Sequence, residues 1–379
     1  MRVLYYGVHD VAYPRNARIR AYLADRFGAQ ITVVARRRHG SRLTRALVDA
    51  RGLWQGSRHA DVVVLAEMRT THAPWAWLVA RARGARLVVD RFIGLHETAV
   101  LDWGVVPPRS ARALRLRLLD RLAVRLADVV LIDTEPRAEA LRPVAGSTPV
   151  VALPVGAPAW ARDLPPPPPS DVLRVLYYGN YIPLHGTERV VEALALVRRR
   201  RPVELMLVGG GPRRDGIRRL VERNGLRASC RFVDPVAESE LLALIGRSDV
   251  VLGVFGDSPK ALSVVANKVW QGLACGRTVV TQRSAALDEL QAVVGPLLVQ
   301  TEPGDAASLA AALIDVDERR GRPSGTGAVA ASAIASDERA APIAPALEAL
   351  VARGFARLDA HFGAHLGERA HRGVPGVGR

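Results

Sequence analysis

Short apolar runs alternate with stretches of helical periodicity along the first 155 residues. The runs are rich in Val, Ile and Leu, and they occupy residues 2–7, 30–35, 61–66, 86–90, 128–133 and 149–154. They have no regular polar alternation, which is typical of strands that are buried on both faces of a sheet. Helical stretches between them, such as 16–27, 74–83 and 110–127, favour parallel pairing of the strands. Residues 1–155 are therefore predicted to form a parallel α/β domain.

The same pattern restarts after a linker at residues 156–172, in which five consecutive prolines favour a stiff, extended spacer. RVLYYGN at 174–180 nearly repeats RVLYYGV at 2–8, which indicates two similar modules. Further strands are predicted at 203–209, 230–234, 249–254, 277–281 and 296–300. The sequence thus predicts an α/β fold of two Rossmann-like, doubly wound β/α/β domains, with residues 173–318 as the second. Because open parallel sheets bind ligands beyond the carboxyl ends of their strands, we expect the two domains to face a ligand-binding cleft.

The regular pattern ends near residue 318. Small and polar residues at 319–344 predict a flexible segment, and residues 345–379 are predicted to form a C-terminal helix and tail. The chain does not begin with a signal-peptide pattern, and no apolar run reaches 18 residues. We therefore expect a cytoplasmic location, at most with contact at the inner face of the cell membrane.

Composition narrows the function classes. Of the 379 residues, 49% are hydrophobic and 24% are charged, which is typical of a globular protein. Aromatic residues make up only 5%, which argues against modules that stack RNA bases on aromatic side chains. Two cysteines are too few for a disulfide framework or a cysteine-rich zinc site, and no metal site is predicted.

The net charge of +16 comes almost entirely from arginine. Of the 53 basic residues only Lys260 and Lys268 are lysines, and the arginines are spread through the chain. A chain-wide preference for arginine weakens the case for a nucleic-acid partner, and no helix-turn-helix or zinc signature supports one. The occurrence of both lysines within nine residues points instead to a local role.

Both lysines lie in segment 253–276, where a predicted strand leads into a helix that begins near Asn267. The N-terminus of a helix has free N–H groups and a partial positive charge, so it attracts phosphate. A compact ammonium suits a single phosphate oxygen, whereas two solvated surface lysines are the alternative. We predict that Lys260 and Lys268 contact a phosphate group, with Asn267 either bonding to a phosphate oxygen or capping its helix.

A second strand–loop–helix unit lies at 177–194. The strand ends at Gly179, and a loop containing His185 and Gly186 leads into a helix. This is another candidate phosphate cradle, in which His185 either donates to a phosphate or bonds to the loop backbone. The glycines of LVGGGP at 207–212 permit a close backbone approach or a tight turn.

The second half of the chain resembles the C-terminal domain of family-4 retaining glycosyltransferases of the GT-B fold (glycosyl transferases group 1). The motifs that carry the resemblance are G-N-x-x-P-L-H-G at 179–186, V-G-G-G-P at 208–212, F-x-x-P-V-x-x-x-E-L-x-x-x-I-x-x-S-D at 232–249, G-V-F-G-D-S-x-K at 253–260, N-K-V-W-Q-G-L-A-C-G at 267–276 and S-x-A-x-x-E-L at 284–290. The first half carries weaker motifs, which are Y-P-R-N at 13–16, D-R-F-I-G-L-H-E-T at 90–98 and A-D-V-V-L-I-D-T at 127–134. The resemblance spans about residues 1–315.

The resemblance implies a hexosyltransferase-type enzyme that moves a sugar from a nucleotide-diphosphate sugar to an acceptor hydroxyl with retention, in glycan, polysaccharide or glycolipid synthesis. It implies no cofactor and no metal, because basic side chains and helix N-termini stabilise the leaving diphosphate. Carried over by position, the donor-binding residues are Gly179, Asn180, His185, Gly186, Gly209, Val233, Asp234, Pro235, Asn267 and Gln271. The catalytic candidates are Lys260, Lys268, His96 and Glu97. The candidates for contact with the acceptor or the sugar, in the N-terminal domain, are Arg15, Asn16 and Asp90.

The chain departs from the family pattern at three places. Asn180 and His185 stand where many relatives have Arg and Lys, so the phosphate charge is expected to fall more heavily on the two lysines. Ser263 and Gln271 replace a common pair of glutamates, and His96 with Glu97 replaces a common His-Asp pair. These departures leave two other interpretations open, a nucleotide-sugar epimerase and a non-catalytic homologue that binds a nucleotide sugar or a glycan.

The predicted helix at 109–128 has leucines on one face and arginines beside them. Such a helix can lie on anionic lipid, which would suit a lipid-linked acceptor, and RRRHGSRLTR at 36–45 adds charge. The alternative is an ordinary domain helix whose leucine face packs on the sheet, and the general use of arginine slightly favours it.

Overall fold

The structure, a computed structural model, describes residues 1–36, 41–320 and 343–370, with only the backbone of residues 42 and 363–370. The chain forms two compact units. Unit 1 comprises Met1–Val155 and the chain from Val351 onwards, and unit 2 comprises Gly156–Leu350. Most of the predicted flexible segment at 319–344, the end of the predicted tail and part of the basic stretch at 36–45 lie outside the described residues. Arg319 and Arg320 end a helix.

The described part of unit 1 forms a six-stranded parallel sheet with the strand order β2-β1-β3-β4-β5-β6. Its strands are β1 (Arg2–Val8), β2 (Gln30–Ala35), β3 (Val62–Leu65), β4 (Arg86–Asp90), β5 (Val129–Ile132) and β6 (Val150–Ala152). Its helices are α1 (Pro14–Phe27), α2 (Arg42–Gly56), α3 (Ala73–Arg83), α4 (Ala111–Leu126) and α5 (Glu135–Ala145).

The described part of unit 2 forms a second six-stranded parallel sheet with the strand order β12-β11-β10-β7-β8-β9. Its strands are β7 (Leu173–Tyr178), β8 (Val203–Val208), β9 (Cys230–Val233), β10 (Val250–Leu252), β11 (Thr278–Gln282) and β12 (Leu298–Thr301). Its helices are α6 (Thr187–Arg198), α7 (Arg214–Arg223), α8 (Glu238–Gly246), α9 (Asn267–Ala274), α10 (Asp288–Val294) and α11 (Ala306–Arg320), and a C-terminal helix α12 (Ile343–Ala370) follows.

The predicted fold class is confirmed, because each apolar run that was predicted as a strand forms one and all pair in parallel. The central strands have side chains buried on both faces, as in Val62–Leu65 of β3 and Val129–Ile132 of β5, whereas the edge strands β2 and β9 are only partly buried. Runs without polar alternation can be buried only where helices cover both faces of the sheet. None of the described helices is long and apolar enough to cross a membrane.

Each sheet has one topological switch point. In unit 1, β1 is flanked by β2 and β3, and in unit 2, β7 is flanked by β8 and β10. The strand order reverses direction at these pairs, so the loops that follow the two strands separate and leave a crevice at the carboxyl edge of the sheet. We therefore expect the ligand-binding residues of unit 1 at the ends of β1 and β3, and those of unit 2 at the ends of β7 and β10.

The helices of unit 1 form two layers. Helices α2, α3, α4 and α5 cover one face of the sheet, and α1 and α12 cover the other. The expectation that α4 packs its leucine face on the sheet is wrong. Ala113, Ala123 and Val124 face the core, whereas Leu114 and Leu118 are 69% and 54% exposed.

The C-terminal helix α12 completes the core of unit 1. Phe355 stacks on Tyr22 of α1 with ring centroids 4.0 Å apart, although the two residues are 333 positions apart in the sequence. Val351 and Leu358 are buried against the same face of the sheet. The core of unit 1 is therefore built from both ends of the chain.

The proline-rich linker is attached to unit 2 along its length. The buried guanidinium of Arg277 donates to the carbonyl of Pro165 at 2.6 Å, and Arg174 donates to that of Pro168 at 2.6 Å. Arg320 at the end of α11 donates to the carbonyl of Ser170 at 3.0 Å. Proline removes backbone donors but keeps its carbonyl, so arginine side chains suit this segment.

Candidate functional site

The loops at the switch point of unit 2 contact each other through their backbones. Phe255 N, after β10, donates to His185 O at 3.1 Å, and Gly256 N donates to Leu184 O at 3.2 Å. Gly186 has φ +57°, and a Cβ on it would overlap the carbonyl group of Phe255. Glycine is therefore required here both by the left-handed backbone and by the close approach.

A second close approach joins the ends of β7, β8 and β9. Gly179 N donates to Val208 O at 3.0 Å, and Gly209 N donates to Val233 O at 3.0 Å. A Cβ on Gly209, which has φ +120°, would overlap the Gly179 carbonyl. The structure thus brings together Gly179, Gly209 and Val233, three of the predicted donor-binding residues.

Lys268 lies at this edge with its side chain 4% exposed. Its Nζ is 4.2 Å from the ring centroid of Tyr177, and no group within the described residues forms a hydrogen bond with it. Burial lowers the pKa of Lys268 to about 7. A buried cation without an acceptor is costly, and a bound anion would remove that cost.

His185 and Gly179 lie beside this ammonium. A Cβ built on Gly179 would be 3.5 Å from Lys268 Nζ and 3.2 Å from His185 Cε1. The three residues therefore line one small volume at the end of β7. This proximity could not be read from positions that are up to 89 residues apart in the sequence.

The His185 ring bonds to a side chain instead of solvent. Its Nδ1 is 2.8 Å from Tyr177 Oη, which also donates to Asn180 O at 2.9 Å. Burial and the charge of Lys268 hold the pKa of His185 well below its usual value, so the ring is neutral. The single hydrogen of the Tyr177 hydroxyl is donated to Asn180 O, so in this arrangement Nδ1 carries the ring hydrogen and donates it to Tyr177 Oη. Nε2 would donate to a phosphate only if the hydroxyl turned from Asn180 O to Nδ1.

Two helices begin at this edge without a side-chain cap from the described residues. The N-cap position of α6 is Gly186, and that of α9 is Ala266. Asn267 is the first residue inside α9, and both of its predicted roles, bonding to a phosphate oxygen or capping the helix, stay predictions. A helix start whose N-cap residue supplies no side-chain cap is the arrangement that binds phosphate.

The other predicted donor residues are more dispersed. Lys260 is buried, so it is not a solvated surface lysine. It lies in a turn in which its backbone carbonyl accepts a hydrogen bond from Ser263 Oγ at 3.1 Å. Gln271 is buried, and its Oε1 accepts from Tyr178 Oη at 2.8 Å. After β9, Asp234 and the neighbouring Pro235 are exposed, and Asp234 pairs with Arg214 at 2.6 Å.

In unit 1, Arg15 and Asp90 form a buried ion pair. Arg15 Nε and Nη2 donate to the two carboxylate oxygens of Asp90 at 2.8 and 3.0 Å. The same guanidinium donates to the carbonyls of Ile132 and Leu153 at the ends of β5 and β6. Both side chains are at most 1% exposed, and the pair fixes the ends of these strands; contact of Arg15 and Asp90 with the acceptor or the sugar stays a prediction.

Asn16 and Glu67 form the polar centre of the switch point in unit 1. Asn16 Oδ1 accepts from Tyr5 Oη at 3.1 Å, and its Nδ2 donates to Glu67 Oε1 at 3.0 Å. Glu67 Oε2 is buried and has no hydrogen-bond partner in the part of the chain that the structure describes. Burial, and to a lesser extent Asp90, raises the pKa of Glu67 to about 7.

Sequence reasoning missed Glu67, although one signal was available. It follows the apolar run at 61–66 directly, which is where ligand-binding side chains of a parallel sheet lie. The next residue, Met68, has φ +62° and is the one non-glycine position with a positive φ among the described residues. A left-handed residue of this kind beside a buried carboxyl group is typical of a functional loop.

His96 and Glu97 lie at the start of a π-helical turn, Glu97–Asp102, after β4. The backbone N–H of His96 donates to Asp120 at 2.9 Å, which fixes this loop to α4. Glu97 Oε2 pairs with Arg137 at 2.6 Å and lies 3.7 Å from Arg91. Both side chains are partly exposed, so they remain predicted contacts for the sugar or the acceptor.

No group of three or more His, Cys, Asp or Glu side chains within residues 1–36, 41–320 and 343–370 is arranged to hold a metal ion. The polar groups at the end of β7 are instead an ammonium, backbone N–H groups and a neutral imidazole. This set suits an anionic ligand.

The family model of glycosyl transferases group 1 matches residues 173–318, from β7 into α11, so unit 2 contains a domain of this type. No curated protein matches the chain significantly in sequence. Among solved structures, sucrose-phosphate synthase from Thermosynechococcus elongatus is similar, with 16% identity, a TM-score of 0.65, and 96% of this chain and 100% of that chain covered.

Two further solved structures are also similar. HepE from Anabaena in complex with UDP-glucose has 16% identity and a TM-score of 0.61, with 97% of this chain and 100% of that chain covered. A Listeria monocytogenes protein assigned as a UDP-N-acetylglucosamine 2-epimerase has 13% identity and a TM-score of 0.53, with 84% and 88% covered. These similarities establish the fold, which is GT-B with two Rossmann-like domains.

Proposed function

We propose that the protein is a glycosyltransferase that moves a sugar from a nucleotide-diphosphate sugar to an acceptor hydroxyl. The observation that carries the proposal is the buried ammonium of Lys268, which lacks a hydrogen-bond acceptor among the described residues, at an edge where α6 and α9 begin at Gly186 and Ala266. The glycosyl transferases group 1 match over 173–318 and the UDP-glucose complex of HepE support the choice of donor.

Lys268 and the first N–H groups of α6 and α9 would bind the donor diphosphate. As the bond from the anomeric carbon to the diphosphate breaks, negative charge grows on the phosphate oxygens, and preorganised donors in a dry site stabilise it. Lys260 would add a second positive charge, and Val233-Asp234-Pro235 would border the base. Gly179 has no side chain, so its backbone would let a phosphate approach the Lys268 ammonium closely.

We further propose that the enzyme retains the configuration of the anomeric carbon, belongs to family 4 and transfers a hexose. The acceptor hydroxyl would attack from the face that the diphosphate leaves, so that the departing phosphate oxygen takes up the hydroxyl proton. Unit 1 would bind the acceptor, with His96 and Glu97 in a partly exposed loop. Glu67 joins Arg15, Asn16 and Asp90 as a candidate at its switch point.

The decisive experiment incubates the protein with a panel of nucleotide-diphosphate sugars, with and without a glycan or lipid-linked acceptor, and follows nucleotide diphosphate and product. A transferase releases diphosphate only when an acceptor is consumed. An epimerase converts the sugar without an acceptor, and a binding protein shifts its Tm with the ligand but turns nothing over. NMR of the product gives the configuration of the new bond, and inversion would exclude the retaining proposal.

The proposal needs no metal and no cofactor, because Lys268 and the backbone N–H groups supply the positive charge. Transfer is therefore expected to persist in an excess of chelator. A loss of activity that Mg²⁺ or Mn²⁺ restores would contradict this part of the proposal while leaving the transferase activity intact.

A further inference from the structure

The exposed large apolar side chains of the described residues are concentrated on unit 1, and in unit 2 only Leu262 is of this kind. Most of those in unit 1 lie on the outer side of α2, α3 and α4. Six of them are Leu43, Leu47, Trp75, Leu78, Leu114 and Leu118. Leu43 and Leu47 are 79% and 71% exposed, so they do not pack against the rest of the domain. We call this surface the outer helical face.

These residues share one side of unit 1. Helices α2, α3 and α4 pack on the same face of the sheet through Leu53, Val79 and Val124, so their opposite sides all point away from it. Arg83 at the end of α3 covers the ring of Trp54 on α2 with its guanidinium carbon 3.9 Å from the ring centroid. The loop before α4 adds the exposed Trp103. Apolar area of this extent on one side of a domain marks an interaction surface.

The charge on the outer helical face has a single sign. The stretches 41–59, 70–84 and 101–126 contain three acidic residues, and each of them, Asp49, Asp102 and Asp120, is buried. Asp49 pairs with Arg69, and Asp120 pairs with Arg91. Within these described stretches, the exposed ionic side chains are therefore basic. They include Arg51, Arg112, Arg117, Arg121 and Arg125, whereas Arg81 at the edge of this face pairs with Asp128 at 3.5 Å.

We infer that the outer helical face docks on an anionic lipid bilayer. Leucine side chains gain free energy by entering the acyl region, tryptophan prefers the headgroup level, and arginine keeps its head in water or on lipid phosphate while its stem covers apolar surface. Arginine without exposed carboxylates complements the negative surface potential of such a membrane. A nucleic acid would match the arginines but would leave the leucines and tryptophans exposed.

This inference deepens the proposed function by placing the acceptor side of the enzyme at a membrane, which suits a lipid-linked acceptor. It is tested without a sugar donor, so vesicle binding and transfer activity succeed or fail separately. The probe is the full chain with vesicles of phosphatidylglycerol, compared with vesicles of phosphatidylcholine, in a co-sedimentation assay at low and at high salt.

Two double variants separate the apolar and ionic contributions. Leu114→Ser with Leu118→Ser is expected to weaken binding to phosphatidylglycerol vesicles about tenfold or more, because two exposed leucines no longer enter the lipid. Arg117→Gln with Arg121→Gln is expected to weaken it by about tenfold and to reduce the salt dependence. The matched control is Arg219→Gln with Arg223→Gln, which removes the same charge at the same spacing from exposed positions on α7 of unit 2 and is expected to bind like the wild type.

Several outcomes would overturn the inference. They are absence of binding to phosphatidylglycerol vesicles at low salt, equal loss in the α7 control, and tighter binding to duplex DNA than to vesicles. A wild-type dimer that becomes a monomer in the leucine double variant, without vesicle binding in either, would show that a second copy covers this face. Circular dichroism of each variant checks folding, and a blue shift of tryptophan fluorescence on vesicle addition reports entry of the face into lipid.

Discussion

The Nζ of Lys268 lies 4.2 Å from the ring centroid of Tyr177, in a buried position where no described group accepts a hydrogen bond from it. The ring offers only a weak cation–π attraction in place of the lost hydration. The residue therefore destabilises the free protein and stabilises its anionic complex. This opposition predicts an effect on activity and stability, an uptake of a proton on binding, and a pH dependence of stability.

Replacing Lys268 by methionine keeps the shape of the side chain and removes its charge. We expect sugar transfer to fall by more than about tenfold, because the leaving diphosphate loses a buried cation. At pH 6 the free energy of unfolding should rise by about 1–3 kcal/mol, because a buried ammonium is no longer required. Chemical denaturation and initial rates measure the two effects, and Arg219→Met on α7 is the control for loss of an exposed charge. Near-wild-type turnover would remove Lys268 from the mechanism.

Binding of a nucleotide diphosphate should take up a proton above neutral pH. The pKa of Lys268 is lowered to about 7, so at pH 8 most of the free protein carries the neutral amine. A bound diphosphate favours the ammonium and raises its pKa, so affinity should fall by up to about tenfold per pH unit above 7. Calorimetry in buffers of different ionisation enthalpy measures the proton. The Lys268→Met variant should show no uptake, and uptake that persists in it would assign the proton elsewhere.

Lys268 should also shape the pH dependence of stability in the unliganded protein. Its folded pKa of about 7 lies below the ordinary value of 10.5, so the unfolded chain binds more protons between these values. Wild-type stability is therefore expected to rise, relative to Lys268→Met, as pH increases from about 7 towards 10. Urea denaturation at several pH values gives this difference directly, and a difference that does not change with pH would contradict the burial of the amine.

Ionisation of Glu67 is expected to lower the stability of the protein as pH rises, which is opposite to the effect of Lys268. Its folded pKa of about 7 lies above the ordinary value of 4.5, so its protonated form stabilises the fold at low pH and this contribution is lost as pH rises from about 4.5 to 7. Glu67→Gln keeps an acceptor for Asn16 and carries no charge. At pH 8 it should be more stable than the wild type by about 1–3 kcal/mol, and at pH 4 the two should be similar. Equal stability of the two proteins at both pH values would disprove burial of the carboxylate.

Gly186 is expected to tolerate no side chain. An added Cβ would overlap the Phe255 carbonyl, and the residue has φ +57°, so Gly186→Ala should cost about 2 kcal/mol or more and weaken diphosphate binding by separating the two loops. Gly216→Ala on α7 is the matched control, because nothing lies within 4 Å of its added Cβ. It should stabilise by about 0.5–1 kcal/mol with unchanged binding. Similar Tm values for both variants would contradict the close approach.

The sequence predicted the strands well because their burial on both faces leaves a local signal, an apolar run such as 86–90 that reappears unchanged as β4. It also placed Lys268 in the first turn of a helix, because a strand end and a glycine-poor helical stretch are both local patterns. It could not place Lys268 beside Tyr177 and His185, since that contact depends on which strands are neighbours. The same holds for Arg15 with Asp90, which are 75 positions apart and form mutual hydrogen bonds.

The orientation of α4 shows a second kind of failure. Leucine at 114 and 118 indicates a core face when every helix is assumed to bury its largest apolar residues. The helix instead buries the small Ala113 and Ala123, which allow close packing on the sheet and leave the leucines outside. Periodicity finds the two faces of a helix, but the choice between them depends on what lies outside the domain.

The packing of α12 on unit 1 has a consequence for synthesis. Unit 2 contains its sheet and the helices that cover it within 156–350, so it has its own core as soon as that part of the chain has left the ribosome. Unit 1, although its sheet is translated first, lacks Val351, Phe355 and Leu358 until synthesis has passed the whole of unit 2. The usual order in which the N-terminal domain folds first is therefore expected to be reversed here. A chain that stalled before residue 351 would leave the sheet of unit 1 complete but one of its faces without the apolar cover of α12.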